Sequence, residues 1–147
     1  MSNRFADLGI NIEIQESLSA LQISVPTDIQ EKVIPVILSQ TEDVVALAKT
    51  GTGKTAAFGL PLLQLIDTTN DAIQAIVLAP TRELSQQIHQ NLASFAANNP
   101  EISIAVICGG IPIKPQIERL KKTTHIVVAT PGRLADLVQR DAIDIKD

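Results

Sequence analysis

Four short runs of Val, Ile, Leu and Ala punctuate this chain, at Val44–Ala48, Ala75–Ala79, Ile102–Ile107 and Ile126–Ala129. The first, second and fourth are near-continuously apolar, the pattern of strands covered on both faces. Between them the period becomes helical. Leu84, Ile88, Leu92 and Phe95 mark one stripe, on a helix predicted from about Thr81 to Ala97, and Leu134, Leu137 and Val138 mark another. Ahead of the first run stand two more stripes: Ile14, Leu18 and Leu21, then Ile29, Val33, Val36 and Ile37. Pro35 and Pro61 fall inside helical stretches and are expected to kink them.

Strand and helix alternating at roughly 30-residue spacing predict βαβ units in a parallel, doubly wound α/β sheet. A helical bundle with apolar linkers fits the β-branched runs poorly. Right-handed crossovers carry the carboxyl ends of such strands to one edge, where open α/β sheets bind their ligands. The turns after the strands are therefore informative. They are Lys49-Thr50-Gly51-Thr52-Gly53-Lys54-Thr55, Pro80-Thr81-Arg82-Glu83-Leu84, Gly109-Gly110 and Thr130-Pro131-Gly132-Arg133. All four are expected along one edge.

Composition narrows the reading. The 147 residues make one domain's worth of chain, and 45% hydrophobic with 19% charged content excludes disordered, collagen-like and coiled-coil classes. No apolar run approaches the roughly 20 residues of a membrane span. The start, Met1-Ser2-Asn3-Arg4-Phe5, lacks the apolar stretch of a secretory signal. A single cysteine makes neither an internal disulfide nor a Cys-rich metal site, so a reducing, cytoplasmic setting is expected. Twelve Lys and Arg against 16 Asp and Glu give a net charge of −4, the wrong sign for holding nucleic acid mainly by charge. Aromatics, at 2%, are too few for a stacking platform. A nucleic-acid ligand would have to be held by backbone amides and a few placed cations.

The turn from Ala48 to Thr55 approximates a phosphate-binding loop, with Ala48 where the general pattern has its first Gly. Gly51 and Gly53 let successive N–H groups face a phosphate. Lys54 offers a point charge to the β and γ phosphates, and Thr55 a hydroxyl to Mg²⁺. A helix opening at Lys54 adds its positive dipole end.

With this loop, the remaining turns make the chain resemble the first RecA-like domain of a DEAD-box RNA helicase over nearly its whole length. Pro26-Thr27-Asp28-Ile29-Gln30 is similar to the Q motif, and Ala48 to Thr55 to motif I, where the family itself uses Ala first. Pro80-Thr81-Arg82-Glu83-Leu84 is similar to motif Ia, Gly109-Gly110 to the GG motif, and Thr130-Pro131-Gly132-Arg133 to motif Ib. Gln22, Ile23 and Ser85 depart from the family's usual residues. The sequence also lacks the Asp-Glu-Ala-Asp and Ser-Ala-Thr motifs and a second RecA-like domain, and no other apolar strand ends in an acid.

The resemblance implies a RecA-like three-layer α/β/α P-loop fold, incomplete here, with the Q motif at about 5–30 and the P-loop core at about 40–147. It implies ATP and Mg²⁺ as cofactors, with Ala48, Lys49, Thr50, Gly51, Thr52, Gly53, Lys54 and Thr55 at the nucleotide. Lys54 and Thr55 would serve catalysis, and Thr55 would hold Mg²⁺. It implies RNA as partner, gripped through its backbone without sequence preference by Pro80, Thr81, Arg82, Gly109, Gly110, Thr130, Pro131, Gly132 and Arg133. The whole protein would be an ATP-dependent RNA helicase, closing two RecA-like domains on ATP and RNA. These 147 residues alone would be an ATP- and RNA-binding module without hydrolysis. In the family, the strand bearing Asp-Glu-Ala-Asp and the next lie between the phosphate-loop strand and the other strands found here. Val44–Ala48 is then expected to lack ladder partners, and the isolated chain either to be marginally stable or to borrow pairing from another copy through an exposed sheet edge.

Several residues carry two readings. Thr27-Asp28-Ile29-Gln30 is also a capping box, with Gln30 reaching back to a backbone N–H. A Gln amide can equally pair with an adenine edge, as Gln at the matching family position does. Phe5, 25 positions before Gln30, either packs on the base, as the resemblance implies, or pins an N-terminal helix. Thr81 and Thr130 are natural N-caps and Pro131 a natural first helical residue. Arg82 and Arg133 sit at the unfavourable end of a helix dipole, which points to a ligand. His89 reads as a solvated helix residue, and His125 and Cys108 as packing residues.

Overall fold

The computed structural model describes residues 4–145; Met1–Asn3, Lys146 and Asp147, at the two ends of the sequence reading, lie outside the described residues. Two compact units emerge, Met1–Ile66 with Asn91–Pro100, and Asp67–Gln90 with Glu101–Asp147.

The first unit is helical, with α1 (Arg4–Asp7), α2 (Ile12–Ala20), α3 (Asp28–Ser39) and α4 (Lys54–Leu65). Asn11 starts α2, its Oδ1 accepting the Ile14 N–H at 3.1 Å. Phe5, Leu18, Ile34, Leu60 and Leu92 are fully buried. In α3 the predicted stripe holds at Val33, which is buried, but Ile34 beside it is sealed while Val36 and Ile37 are half-buried. Leu21 falls just beyond α2 and is exposed. α3 and α4 pack on each other and run through Pro35 and Pro61.

The second unit is built on a parallel sheet of β1 (Ala75–Leu78), β2 (Ile104–Ile107) and β3 (Ile126–Ala129), in the order β1-β3-β2. Val127 sits level with Ile76 on one side and Ala105 on the other. The central strand is buried at all four positions, as its continuous apolar run requires. α5 (Arg82–Phe95), which follows β1, begins in this unit and ends in the first. α6 (Ile113–Leu120) and α7 (Pro131–Gln139) follow β2 and β3. Ile107, Val127, Ala129, Leu137 and Ile143 form the core, with Ile113, Ile117 and Leu134 against it.

The predicted first strand is corrected. Val44–Ala48 forms no strand, and Val45 and Leu47 are 91% and 90% exposed. An isolated apolar run gains no regular conformation until its N–H and C=O groups meet a ladder, and this one has no ladder partner among the described residues. Two smaller corrections follow from packing. Leu84, predicted on the apolar stripe of α5, is partly exposed, whereas Ser85 is fully buried. His89 is half-buried rather than solvated, with Nε2 3.2 Å from the Ile104 carbonyl. His125 and Cys108 are buried, as packing residues should be.

Candidate functional site

In the helical unit, the loop from Ala48 to Thr55 has the shape that its glycines permit. Gly51 and Gly53 adopt φ of 77° and 80°, the left-handed region that side chains disfavour. Gly53 is the N-cap of α4, Lys54 its first residue, and the Ala57 N–H closes the first turn on the Gly53 carbonyl at 3.1 Å. The opening N–H groups of α4 have no intrahelical acceptor and stand at its positive end, as an anion site requires. Thr52 Oγ1 donates to the Lys49 carbonyl at 2.6 Å and Lys54 Nζ to the Ala48 carbonyl at 2.7 Å, so both side chains brace the loop from within. Thr55, the second residue of α4, is half-buried. This arrangement fits a nucleotide phosphate.

The Q-like segment touches the same loop. Thr27 and Gln30 form the capping box of α3, the Thr27 N–H donating to Gln30 Oε1 at 3.0 Å. Gln30 Nε2 donates to the Gly53 carbonyl at 3.1 Å, and Thr27 Oγ1 to the Thr52 carbonyl at 2.8 Å. A cleft of about 520 Å³, lined by Thr27, Asp28, Ile29, Lys32, Leu47 and Gly51 among others, opens between this segment and the loop. Phe5 is fully buried, as a pin for α1 must be.

In the sheet unit, three of the four turns converge at the carboxyl ends of the strands. The ladder runs past the strands, with the Ala79 N–H on the Ala129 carbonyl at 2.9 Å and the Thr130 N–H on the Ile107 carbonyl at 3.0 Å. Thr81 caps α5, its Oγ1 accepting the Leu84 N–H at 3.1 Å. Thr130 stands at the N-cap of α7 with Pro131 next, but its hydroxyl does not cap the helix. It accepts the Gly109 N–H at 3.1 Å, linking two turns. Arg82 lies against Gly110 (φ 81°), where a Cβ would stand 3.1 Å from Nη1. Its Nη2 also pairs with Glu83 at 3.3 Å. The Glu83 carboxyl is held below the usual carboxylate range by its own main-chain N–H and then by Arg82. Arg133 is turned inward, Nη1 donating to Gln116 Oε1 at 2.9 Å and Nη2 to the Ile111 carbonyl at 3.0 Å.

The sequence reading missed Gln116 and the cleft residues Asp28, Ile29 and Lys32. For Gln116 a signal existed. Ile113, Gln116, Ile117 and Leu120 stand at i, i+3, i+4 and i+7, so a polar residue occupies the apolar stripe of α6. Asp28 and Ile29 lie within the Q-like segment, but Lys32 had no signal, because it lines the cleft only once α3 meets the loop.

The sequence pattern of DEAD/DEAH box helicases matches residues 27–146. The chain belongs to the DEAD/DEAH box helicase family. It is 49% identical over 138 residues to an ATP-dependent rRNA helicase of Gibberella zeae, covering 92% of this chain and 28% of that protein. A crystal structure of a DEAD box protein from Methanococcus jannaschii superposes with a TM-score of 0.90 at 42% identity, over 97% of this chain and 38% of that one. S. cerevisiae Dbp5, solved bound to RNA and ADP BeF3, gives 0.86 at 29% identity over 98% of this chain and 36% of its own. The chain thus has the RecA-like α/β fold of the family and spans less than a third of the length of the curated relatives it matches. No helix among the described residues is long and apolar enough to cross a membrane.

Proposed function

We propose that this chain is the ATP-binding part of an ATP-dependent RNA helicase and carries part of its RNA-binding edge. The observation that carries the reading is the loop before α4, where two left-handed glycines lead into a helix whose first residue is Lys54. The matched relatives are named as ATP-dependent RNA helicases, which supports it.

ATP is proposed at Ala48–Thr55, with Gln30 toward the base and the cleft beside Thr27 and Asp28 receiving the nucleoside, while the buried Phe5 anchors α1. Backbone N–H groups of the loop and of α4 orient the phosphates. Lys54, released from the Ala48 carbonyl, is placed to neutralise them. Thr55 would hold Mg²⁺ together with the nucleotide's own phosphates; the ion supplies charge neutralisation for phosphoryl transfer.

RNA is proposed at the turns Pro80–Arg82, Gly109-Gly110 and Thr130–Arg133, held through its backbone. The chain is further proposed to work in the reducing cytoplasm, in keeping with its one cysteine, a free and buried thiol. Calorimetric titration with Mg·ATP tests the core of the reading. Binding that Lys54→Ala abolishes is the expected result, and equal binding by both proteins would reject the site.

A further inference from the structure

Gln116 is 6% exposed, and a buried amide needs partners at both ends. Its Nε2 donates to the Cys108 carbonyl at 3.0 Å, and its Oε1 accepts from Arg133 Nη1 at 2.9 Å. Arg133 Nη2 reaches the Ile111 carbonyl at 3.0 Å. Cys108 and Ile111 flank Gly109-Gly110, so both ends of the glycine turn are fastened to one amide–guanidinium pair. The Gly109 N–H on Thr130 Oγ1 is a third fastening. Glycines bring freedom as well as close approach, and an unfastened Gly-Gly turn would sample many backbone states.

We propose that Gln116 is a positioning residue for RNA, and that Arg133 is its structural partner rather than a ligand of phosphate. Together they hold Gly109-Gly110 against Thr130–Arg133 in the arrangement that receives an RNA backbone. The inference rests on the reading of these turns as RNA contacts. It divides the two arginines of the edge. Arg133 has two guanidinium nitrogens committed inside the fold, whereas Arg82 is tied only to an exposed carboxylate. Arg82 then supplies the cation and Arg133 the frame.

The test uses the 147-residue chain, a labelled single-stranded oligouridylate and a salt titration, with amide hydrogen exchange measured separately without RNA. Gln116→Met keeps the buried shape and removes both bonds. Arg133→Lys keeps the charge and loses the fork. Each is expected to weaken RNA binding about tenfold, the scale of losing a buried hydrogen bond. Each should leave the slope of log affinity against log salt unchanged, and the double variant should bind no worse than either single one. Both should speed exchange at Gly109. Arg82→Ala should instead reduce the slope by about 0.7, one phosphate contact on a single strand. Arg133→Lys binding as tightly as the unaltered chain would overturn the proposal, because a direct cation is rescued by lysine. Unchanged Gly109 exchange in Gln116→Met would overturn it as well. If Gln116→Met does not fold, Gln116→Glu, which keeps the acceptor for Arg133 and loses the donor to Cys108, is read in the same way. An unaltered chain that binds no RNA would reject the RNA reading itself, and the exchange arm would still decide the clamp.

Discussion

The side-chain amide of Gln30 donates to the main-chain carbonyl of Gly53 at 3.1 Å while its other end accepts the Thr27 N–H at 3.0 Å. One buried residue therefore caps α3 and holds the residue from which α4 starts. Capping and loop bracing use the same donor and acceptor that an adenine edge would need. The amide keeps a second N–H and a second oxygen lone pair, through which a base can engage Gln30 while it still holds the loop, so nucleotide identity and loop geometry are coupled.

That coupling predicts more than a lost contact in Gln30→Ala. The preference for ATP over GTP should vanish, and affinity for both should fall because the loop loses its brace. Loss of the box should also cost about 1 kcal/mol of stability. Titrations with both nucleotides, beside a urea melt, separate the effects. An intact purine preference in the variant would leave Gln30 with its structural role alone.

The two loop glycines should respond differently to alanine. Both have positive φ, so each substitution carries the left-handed penalty of about 1–2 kcal/mol. At Gly51 nothing lies within 4 Å of the added Cβ, whereas at Gly53 it runs into Gln30 Nε2. Gly53→Ala should therefore be the more destabilising and should uncouple α3 from the loop. Equal urea midpoints for the two variants would argue against the Gln30–Gly53 contact.

Acid should weaken the sheet unit through Asp67. Its Oδ1 accepts from Thr69 Oγ1 at 2.6 Å and from the Thr69 N–H at 2.9 Å, and these bonds hold its carboxyl below the usual range. A carboxyl more acidic in the folded state stabilises the fold above its unfolded pKa, and the contribution is lost as pH falls through the lowered folded value. Glu83 acts in the same direction. Melting temperature should thus be level near neutrality and fall in acid, and Asp67→Asn should shallow that fall. A variant curve parallel to the original would reject the assignment.

What the sequence disclosed depended on how local each signal was. β3 was legible because a central strand is apolar at every position, and the start of α4 because Gly53 and Lys54 write the turn into the chain. Thr130 was legible as a position but not as a bond, since its hydroxyl serves a glycine 21 residues away. Val44–Ala48 has the composition of a strand, yet strand formation belongs to the pair of strands and not to either sequence. Gln116 escaped notice because its partners are Cys108, just after β2, and Arg133 of α7, which meet only in the fold.

The unpaired apolar segments lead to the last expectation. The Ala75 N–H donates to the His125 carbonyl and the Ala79 N–H to the Ala129 carbonyl, so alternate residues of β1 face β3. Ile76 and Leu78 then direct their N–H and C=O groups to the outer edge, and their side chains are 37% and 55% exposed. Val45 and Leu47 are bare as well. A short, uncharged edge with apolar side chains is a template for another strand. The 147-residue chain should therefore self-associate with rising concentration, and Ile76→Lys with Leu78→Lys should return it to a monomer. The same polypeptide should bind ATP without turning it over. Its sequence has no Asp-Glu-Ala-Asp, and among the described residues no three acidic, His or Cys side chains gather around a cation position. Phosphoryl transfer to water needs both an anchored Mg²⁺ and a group that orients the attacking water. Light scattering over a concentration series and phosphate release with RNA present decide the two halves separately. A concentration-independent monomer would refute the edge, and phosphate release that Lys54→Ala abolishes would show that the chain supplies those groups itself.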